Sequence, residues 1–523
     1  MSQIKIYDST LRDGAQAQGI SFSVEDKLKI VSKLDKLGIN YIEAGNPGSN
    51  PKDIEFFKRI KKIELKNSKL AAFGSTRRAG INAKDDVNIQ SLLKAETPVV
   101  TIFGKAWDFH VLEVLRTTLD ENINMIKDTI KFFKDQGKEV IFDAEHFFDG
   151  YKANPDYSMK VLKAAAESGA ECLVLCDTNG GTFPDVIFEI TKLVKDTIKE
   201  IGIGIHCHND TGMADANSIM AVKAGAVQVQ GTINGFGERC GNANLITIIS
   251  NLQIKMGYYC ISEEDIEKIT TTARFISEIA NIMHNERAPY VGNCAFAHKG
   301  GMHIDAVMKN TASFEHINPS IVGNERRVLM SEVSGRSTII SAIKEVEPEI
   351  EKNSPEAKKI IDKLKQLEHE GYQFEGAESS FELVIRKELG KHKNFFELED
   401  FKVIITDPEK ENLSASAIIK VKVGELDEIM AAEGDGPVNA LDKALRKALE
   451  VFYPEIAKMR LTDFKVRVLD SESATAAKVR VWIESTDGEN SWSTVGVSTN
   501  VINASWKALV DSVEYMLLKN NAG

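Results

Sequence analysis

The sequence predicts an α/β protein: a (β/α)8 TIM barrel, then a helical linker subdomain, then a C-terminal α+β domain with an internal repeat. Three observations support this fold class. Eight short β-rich runs alternate with amphipathic helical stretches, polar residues follow nearly every run, and two stretches near the end of the chain resemble each other. Barrel enzymes collect their chemistry at the C-terminal ends of several strands, so the polar residues also indicate where a site would lie.

The eight predicted strands are short β-rich runs. They lie at residues 4–7, 41–44, 70–73, 99–103, 140–143, 172–175, 203–206 and 227–230. Between the first two, apolar residues at helical spacing predict a helix from Val24 to Leu37, with Gly38 as its C-cap. A doubly wound open sheet would show the same alternation but would concentrate its polar residues at one switch point. The closed barrel is therefore the favoured architecture.

The chain divides into three predicted domains. They are a TIM-barrel catalytic domain at 1–275, a linker or lid subdomain at 276–384, and a regulatory and dimerisation domain at 385–523. In the linker, Ser354-Pro355-Glu356 predicts the start of a helix with an apolar stripe. We expect this helical connector to lie over the barrel mouth.

The last domain contains an internal repeat. Leu-Glu-Asp-Phe-Lys-Val at 398–403 recurs as Leu-Thr-Asp-Phe-Lys-Val at 461–466. Shorter matches pair 414–417 with 473–476 and 439–445 with 503–509. Each copy predicts strands followed by one helix, so two copies predict a pseudo-symmetric domain with a ligand site or a dimer contact at its seam.

Composition and charge exclude several classes of protein. A chain of 523 residues with 43% hydrophobic and 27% charged residues is typical of a soluble globular protein with more than one domain. The net charge of -12 and the lack of a long basic run argue against a nucleic-acid partner. No apolar run approaches the ~20 residues of a membrane span, no signal peptide precedes the first strand, and none of the six cysteines forms a Cys-x-x-Cys pair. These features predict a protein of the reducing cytoplasm.

Four residues supply the ligands of a predicted divalent metal site. Asp13 follows the first strand, His206 and His208 come at the end of the seventh, and Asn242 follows the eighth, which neighbours the first in a closed barrel. Residues i and i+2 of a strand point to the same face about 6.6 Å apart, so both histidines can reach one ion. A carboxylate, two imidazoles and an amide oxygen leave coordination positions open for a substrate. Arg12 adds a fixed cation where an oxyanion could develop.

Each of these residues also has a purely structural interpretation. The histidines could belong to the core, and Arg12 with Asp13 could form a surface salt bridge. Residues 234–241 superficially resemble a dinucleotide fingerprint, but no strand, helix and ribose-binding acid accompany them, so we interpret them as a loop that bends Asn242 toward the metal. The convergence of all four donors on one end of the barrel favours the metal site. Mixed ligation suits Mg²⁺ or Mn²⁺, the expected ions, and also Zn²⁺ and Co²⁺.

The motifs carry a family resemblance over essentially the whole chain. They are residues 7–14 (Tyr-Asp-Ser-Thr-Leu-Arg-Asp-Gly), 206–210 (His-Cys-His-Asn-Asp), 234–239 (Asn-Gly-Phe-Gly-Glu-Arg), Asn242 and 434–438 (Gly-Asp-Gly-Pro-Val). Together they resemble the 2-isopropylmalate synthase family of barrel enzymes, which is related to homocitrate synthase and 3-hydroxy-3-methylglutaryl-CoA lyase. Ala15, where 2-isopropylmalate synthases usually have glutamate, and residues 316–327 resemble the citramalate synthase branch.

The resemblance implies condensation of acetyl-CoA with a 2-oxo acid, followed by hydrolysis of the thioester. A 2-oxo acid can chelate the metal through a carboxylate oxygen and its ketone oxygen, and Arg12 with the metal would stabilise the alkoxide. Glu145, which follows strand five, resembles the family's active-site acid, and Thr178 resembles the residue that holds the substrate carboxylate. The resemblance favours His303 as the base, supported by Asp305 and Glu145; which of them takes the proton stays open.

Substrate choice depends on the volume of the pocket. Pyruvate carries a methyl group where 2-oxoisovalerate carries an isopropyl group. Phe73 and Phe103, at the predicted ends of strands three and four, are bulky enough to favour pyruvate, although either could be ordinary barrel core. Since a methylene shifts selectivity by only about 1–3 kcal/mol, side activity on 2-oxobutyrate is expected. Phe314 stands where 2-isopropylmalate synthases tend to have tyrosine, so any hydroxyl role there must be filled elsewhere.

The favoured function is that of the citramalate synthase branch, the condensation of acetyl-CoA with pyruvate, and three alternatives remain. The first is 2-isopropylmalate synthesis from 2-oxoisovalerate. The second is a retro-aldol acyl-CoA lyase, which would share the metal site but would need no second domain. The third is an inactive regulatory or binding protein that kept the barrel, and the intact ligand set argues against it.

Two expectations concern other ligands. The repeat domain predicts feedback control by a branched-chain amino acid, with isoleucine as the expected effector at the seam of a homodimer; the alternative is a dimerisation domain without a ligand. The arginine pairs at 77–78 and 326–327 are candidates for contacts with the phosphates of coenzyme A, but a solvated surface is the favoured interpretation of each pair.

Overall fold

The computed structural model forms two compact units. The first comprises Met1–Phe296 and Ile317–Arg326, and the second comprises Ala297–His316 and Arg327–Gly523. Within them the structure describes residues 2–48, 51–299, 301–328, 343–344, 346–348, 350–351, 354–374, 377–410, 413–469, 477–488 and 490–520.

The first unit is a closed barrel of eight parallel strands in chain order. The strands are β1 (Lys5–Asp8), β2 (Tyr41–Glu43), β3 (Lys69–Ser75), β4 (Val99–Lys105), β5 (Glu139–Glu145), β6 (Cys172–Asp177), β7 (Gly202–Cys207) and β8 (Gln228–Gly231). β1 pairs with β8 as well as with β2, which closes the sheet. The predicted TIM barrel is confirmed.

Helices follow the strands around the barrel. They are α1 (Val24–Leu37), α2 (Pro51–Ile60), α3 (Val87–Lys94), α4 (Leu119–Asp135), α5 (Phe147–Ala153), α6 (Pro155–Glu167), α7 (Pro184–Thr197), α8 (Ala214–Lys223), α9 (Leu245–Ser250), α10 (Glu263–Ile266) and α11 (Ile269–Ile279). α1 begins with a capping box between Ser23 and Asp26. It ends before Gly38, whose φ of 83° is a left-handed conformation that glycine adopts without strain. The predicted bounds of this helix are confirmed.

The second unit begins with short elements and two longer helices. They are β9 (Ala297–His298), α12 (Gly301–Lys309), β10 (Arg327–Val328), α13 (Pro355–Glu370) and α14 (Glu378–Glu388). Ser354 caps α13 as predicted, and the buried Ile360 and Leu364 pack with Phe374 and Phe381. The expected position of this helix over the barrel mouth stays a prediction, and so do the domain boundaries. Gly300 lies outside the described residues.

Two copies of one supersecondary unit complete the chain. The first contains β11 (Glu397–Lys410), β12 (Leu413–Val423), β13 (Leu426–Gly434) and α15 (Pro437–Glu450); the second contains β14 (Arg460–Val468), β15 (Val479–Thr486), β16 (Ser491–Ser498) and α16 (Val501–Asn520). Each copy is a three-stranded antiparallel sheet, and the repeated motif shifts register before Asp400 in one and before Asp463 in the other. The predicted repeat is confirmed, although its segment 473–476 lies outside the described residues.

Two further features bear on the predicted class of protein. The six cysteines all lie within the described ranges, and all six are free thiols. Among the helices that the structure describes, none combines the length and the apolar character needed to cross a membrane.

Candidate functional site

Three side chains meet at the C-terminal ends of β1 and β7. His206 Nε2 lies 3.7 Å and His208 Nε2 lies 3.8 Å from Asp13 Oδ2, and the two Nε2 atoms are 3.4 Å apart. Ligand atoms that each lie about 2.1 Å from one ion are separated by about 3 to 3.5 Å, so the observed spacing is close to that of a shared ion. All three side chains are buried. We call Asp13, His206 and His208 the candidate metal cluster.

Asn242 reaches the same place from the loop after β8. Its backbone pairs with His208 in an isolated bridge, and its Nδ2 donates to Asp13 Oδ1 at 3.0 Å. Two positions of this loop, 237 and 241, leave no room for a side chain. A Cβ on Gly237 would lie 2.1 Å from Asn242 Nδ2, and a Cβ on Gly241, whose φ is +90°, would lie 2.1 Å from a backbone oxygen of the same loop. The glycine-rich segment therefore bends Asn242 toward the cluster.

The charge states and unpaired atoms of the cluster suit a divalent cation. Burial lowers the pKa of both histidines, that of His208 to about 4, so both imidazoles are neutral at pH 7. Although burial opposes its charge, Asp13 has a pKa below the ordinary value because the charge of Arg12 and a hydrogen bond from Asn242 stabilise the carboxylate. Within the described ranges, Asn242 Oδ1 and His208 Nδ1 are buried without a hydrogen-bond partner. Metal ligation requires such neutral imidazoles, an ionised carboxylate and an unpaired oxygen.

Arg12 is fixed beside the cluster by two carboxylates and an aromatic ring. Its Nη1 donates to Asp13 Oδ2 at 2.9 Å, and its Nε donates to Glu43 Oε2 at 2.5 Å. Its Cζ lies 3.8 Å from the centroid of the Phe73 ring. Glu43 is itself fully buried and accepts a hydrogen bond from the Tyr7 hydroxyl at 2.7 Å. Since the side chain of Arg12 is only 13% exposed, its pair with Asp13 is not a surface salt bridge.

A stack of two cations and two rings crosses the ends of β1, β3 and β4. Phe73 packs on Arg12 and stacks on Phe103 at a centroid distance of 5.1 Å, and Lys105 Nζ lies 5.7 Å from the Phe103 centroid. β3 and β4 continue beyond their phenylalanines to Ser75 and Lys105, so the prediction that these rings end the strands is wrong.

The two rings line different cavities. Phe73 and Arg12 line a cavity of about 270 Å³, together with Leu11 and Phe22. Phe103 lines a second cavity of about 270 Å³ with Lys105. The expectation that both rings narrow one pocket therefore stays a prediction. The stacking contact between the two rings would couple their effects on the choice of 2-oxo acid.

The other predicted residues of the barrel lie at the ends of β5 and β6. Glu145 forms an ion pair with Lys105, because the register of β4 and β5 places these two residues opposite each other. Thr178 follows β6, and its Oγ1 accepts a hydrogen bond from the backbone N–H of His146 at 2.9 Å. Both side chains thus lie at the end of the barrel that also carries the metal cluster. Their roles stay predictions.

His303 and Asp305 belong to the second unit, where both lie exposed on α12. The ring of His303 stacks on Phe314 at a centroid distance of 4.1 Å. Asp305 pairs with Lys309, one turn further along the helix, at 2.6 Å. Helix residues at i and i+2 do not face each other, so Asp305 supports Lys309 rather than His303 in this structure.

The candidate coenzyme A contacts differ in their surroundings. The side chain of Arg77 is only 7% exposed, and it pairs with Glu121 at 2.8 Å and with Asp128 at 2.7 Å. The solvated-surface interpretation is therefore wrong for Arg77, which is held within the barrel unit. Arg327 in the second unit pairs with Glu378 at 3.0 Å.

Three polar side chains of the site have no sequence motif of their own. Glu43 holds Arg12, Lys105 pairs with Glu145, and Gln230 on β8 lies 3.0 Å from His206 Nδ1 through its Oε1. Glu43 and Lys105 are the last residues of their strands, and Gln230 lies within β8, which also contains Gln228. Matching the ends of neighbouring parallel strands would have found Lys105, whereas the contacts of Glu43 and Gln230 depend on side-chain directions that the sequence does not specify.

Family models match three consecutive parts of the chain. The HMGL-like model matches residues 3–276, the homocitrate synthase post-HMGL domain-like model matches 290–372, and the LeuA allosteric (dimerisation) domain model matches 375–517. The chain belongs to the HMGL-like family. The HMGL-like match spans the whole barrel with the candidate metal cluster, and the LeuA match spans both copies of the repeat.

Relatives of this HMGL-like chain match it over its full length. The (R)-citramalate synthase of Aquifex aeolicus is 54% identical over 519 residues, which cover 99% of this chain and 98% of the relative. That of Geobacter sulfurreducens is 53% identical, with coverage of 99% and 98%. The 2-isopropylmalate synthase of Pyrococcus furiosus is 30% identical, with coverage of 98% of each chain. The predicted family resemblance is confirmed, and the chain is an enzyme.

Proposed function

We propose that the protein is an (R)-citramalate synthase, which condenses acetyl-CoA with pyruvate and hydrolyses the thioester to give citramalate and coenzyme A. The observation that carries this proposal is the buried metal cluster with Arg12 fixed 2.9 Å from Asp13. A 2-oxo acid presents two adjacent oxygens and a negative charge, which such a site can receive. Full-length relatives of that name at 54% and 53% identity favour pyruvate over the larger 2-oxoisovalerate.

A divalent cation would be held by Asp13, His206, His208 and Asn242. Mg²⁺ or Mn²⁺ is the expected ion, and Zn²⁺ and Co²⁺ fit the same donors. When bound, such a cation acts as a Lewis acid toward a ketone oxygen. Arg12 adds a second positive charge that needs no reorganisation, because Glu43 already holds the guanidinium in place.

Thr178 is the proposed anchor for the carboxylate of the substrate. Its Oγ1 accepts a hydrogen bond from the backbone N–H of His146, which leaves the hydroxyl hydrogen available to donate. A carboxylate oxygen is a suitable acceptor. The end of β6 would then bind the carboxylate while Arg12, at the end of β1, stabilises the ketone oxygen.

The bond-forming step needs a base for a methyl proton of acetyl-CoA. His303 is the proposed base, and Glu145, whose carboxylate pairs with Lys105, is the proposed acidic residue that supports catalysis at the barrel mouth. As His303 takes the proton, the methyl carbon attacks the ketone carbon, and the ketone oxygen gains the negative charge that Arg12 stabilises. The alkoxide oxygen then takes up that proton from His303. Water adds to the thioester carbonyl, the C–S bond breaks, and a proton of the water passes to sulfur, which releases the coenzyme A thiol and leaves the new carboxyl group.

The experiment that tests this function measures free-thiol release from acetyl-CoA. Pyruvate, 2-oxobutyrate and 2-oxoisovalerate would be compared at equal concentration, with Mg²⁺ or Mn²⁺ and with a chelator. The proposal expects a metal-dependent rate that is highest with pyruvate. A preference for 2-oxoisovalerate would keep the condensation but replace the substrate. No thiol release with any of the three would remove the synthase function and bring forward the lyase alternative.

For the second unit we propose feedback inhibition by isoleucine in a homodimer. The duplicated sheet-and-helix units and the match to the LeuA allosteric (dimerisation) domain support both parts of this proposal. Titration calorimetry of isoleucine and leucine against the full chain tests it, because the absence of binding by both would leave a dimerisation domain without a ligand. The reducing cytoplasm stays the proposed location.

A further inference from the structure

Two hydrogen bonds lead from the metal cluster into the interior of the barrel. His206 Nδ1 lies 3.0 Å from Gln230 Oε1, and Gln230 Nε2 donates to Asp143 Oδ1 at 3.0 Å. These residues come from β7, β8 and β5, so the connection crosses the barrel. They are 5%, 0% and 4% exposed, respectively, which shields the connection from water.

The direction of these hydrogen bonds determines where His206 carries its proton. The amide nitrogen of Gln230 can only donate, and it is directed at Asp143, so the carbonyl oxygen of Gln230 faces His206. A carbonyl oxygen can only accept. The proton of the neutral imidazole must therefore lie on Nδ1, and Nε2 keeps its lone pair toward Asp13.

The second histidine of the cluster is held differently. Within the described part of the chain, His208 Nδ1 is buried without a hydrogen-bond partner. His206 is therefore the member of the pair whose tautomer is set by a neighbouring side chain. A histidine that binds a metal commonly donates its other ring N–H to a protein oxygen, and loss of that partner typically lowers metal affinity about 10–100-fold.

We propose that Gln230, backed by Asp143, is a positioning residue that fixes His206 as the Nδ1–H tautomer and thereby sets the affinity of the cluster for a divalent cation. This inference rests on the proposed function in one respect only, namely that the cluster binds such a cation. It requires nothing about which 2-oxo acid reacts or which group removes the methyl proton.

Calorimetry that measures Mn²⁺ binding to the full chain tests the inference without a measurement of activity. Gln230→Leu removes the acceptor, and we expect the dissociation constant for Mn²⁺ to rise about 10–100-fold. The double variant Gln230→Glu with Asp143→Asn keeps one carboxyl group and one amide but exchanges their places. Its carboxylate would accept from both neighbours, so we expect affinity to return toward the wild-type value.

The same strand offers a matched control. Gln228 on β8 is also buried, at 2% exposure, and its Oε1 has no hydrogen-bond partner among the described residues. Gln228→Leu removes the same groups from the same strand without touching a histidine. We expect it to leave Mn²⁺ affinity unchanged.

Several results would overturn the inference. One is unchanged Mn²⁺ affinity in Gln230→Leu; another is an equal loss in Gln230→Leu, Gln228→Leu and the double variant, which would indicate a general structural effect. If circular dichroism shows that Gln230→Leu does not fold, Gln230→Met takes its place. A double variant that folds but binds Mn²⁺ much more weakly than the wild-type chain would by itself contradict the inference. Failure of the wild-type chain to bind Mn²⁺, Mg²⁺, Co²⁺ or Zn²⁺ would instead count against the proposed function.

Discussion

The two parts of the predicted active site are held in different ways. Asp13 and His206 lie on the barrel, are buried, and contact residues that come from several strands. His303 and Asp305 lie on a helix of the second unit, are exposed, and contact neighbours close to them in the chain. The barrel therefore holds Asp13 and His206 in place through contacts of its own, whereas His303 and Asp305 are exposed on α12.

This difference indicates how substitutions in the two parts should behave. A buried group with several partners contributes to metal binding, to charge balance and to stability together. An exposed group with few partners contributes little to stability, so its substitution should affect only the chemical step. Metal affinity, turnover and thermal stability, measured on the same variants, separate these two cases.

The largest effect is expected for Asp13→Ala. It removes the one carboxylate of the candidate metal cluster, and we expect loss of metal binding at assay concentrations. Thiol release should fall on the order of 10³-fold, because a bound cation supplies several kcal/mol of charge stabilisation. Calorimetry with Mn²⁺ and a thiol assay check both parts. Asp196→Asn, on an exposed carboxylate of α7, is the matched control.

Retention of metal-dependent turnover in Asp13→Ala would contradict the assignment of the cluster. Loss of turnover with unchanged Mn²⁺ affinity would also contradict it, because Asp13 would then act on the substrate rather than on the ion.

Arg12→Lys should lower kcat by roughly 10²–10³-fold, in the range measured for removal of one donor to a developing oxyanion. A lysine keeps the charge but cannot bridge Asp13 and Glu43 or stack on Phe73 in the same way. The affinity for Mn²⁺ should change little. Steady-state kinetics at saturating metal measure the effect, and Arg59→Lys, at a partly exposed ion pair, is the control. A wild-type kcat in Arg12→Lys would contradict the role of Arg12 in stabilising the oxyanion.

His303→Gln tests the exposed part of the site. We expect kcat to fall on the order of 10²-fold, since a positioned acid or base contributes at least that much. Because His303 is exposed and stacks on Phe314, Tm and Mn²⁺ affinity should stay at their wild-type values. A large drop in either would contradict the expected independence of His303 from metal binding and stability, and an unchanged kcat would show that His303 is not the base.

Phe73→Leu should have a smaller effect, of about tenfold, on the ratio of kcat/KM for 2-oxobutyrate to that for pyruvate. The shorter side chain enlarges the cavity beside Arg12. It also loses the stack on the guanidinium, so kcat with pyruvate should fall slightly. Phe103→Leu, which touches Phe73 but lines the other cavity, separates the two effects. Equal changes in this ratio of kcat/KM values in both variants would indicate that the ring stack, rather than the volume of the cavity beside Arg12, determines the selectivity.

The last effect concerns stability and its dependence on pH rather than turnover. Burial, with the charge of Glu43, raises the pKa of Asp143 to about 8 from an ordinary value of 3.8. The folded chain therefore binds this proton more tightly than the unfolded chain, so Asp143 destabilises the fold increasingly as pH rises from about 4 to about 8. Asp143→Asn removes this penalty. We expect the Tm of Asp143→Asn minus the Tm of the wild-type chain, both measured without metal, to increase from pH 5 to pH 8. A difference in Tm that does not change with pH would contradict the effect of burial on Asp143.

Most of the fold follows from local sequence patterns. The eight apolar runs become the eight strands, and α1 has its predicted bounds because a capping box and a left-handed glycine specify both ends. Polar residues at strand ends placed Asp13 and His206 at one end of the barrel. These features depend only on periodicity and on the geometry of parallel strands.

The rest depends on side-chain direction and long-range register. Nothing local in Glu43 indicates that it holds Arg12, and nothing local in Asp305 indicates that it pairs with Lys309. The sequence predicts that Phe73 ends its strand, but β3 continues for two more residues, through Gly74 to Ser75. Residues far apart in the chain supply these partners, and only the closed barrel brings them together.

The most direct test of the account follows labelled carbon. Acetyl-CoA labelled with ¹³C at both acetyl carbons would be mixed with unlabelled pyruvate, the wild-type chain and Mn²⁺, and the acid product analysed by mass spectrometry. The account predicts citramalate that carries both labelled carbons, formed with metal and absent with a chelator or in Asp13→Ala. Pyruvate that is not consumed, or labelled citramalate that forms equally well in Asp13→Ala, would contradict it.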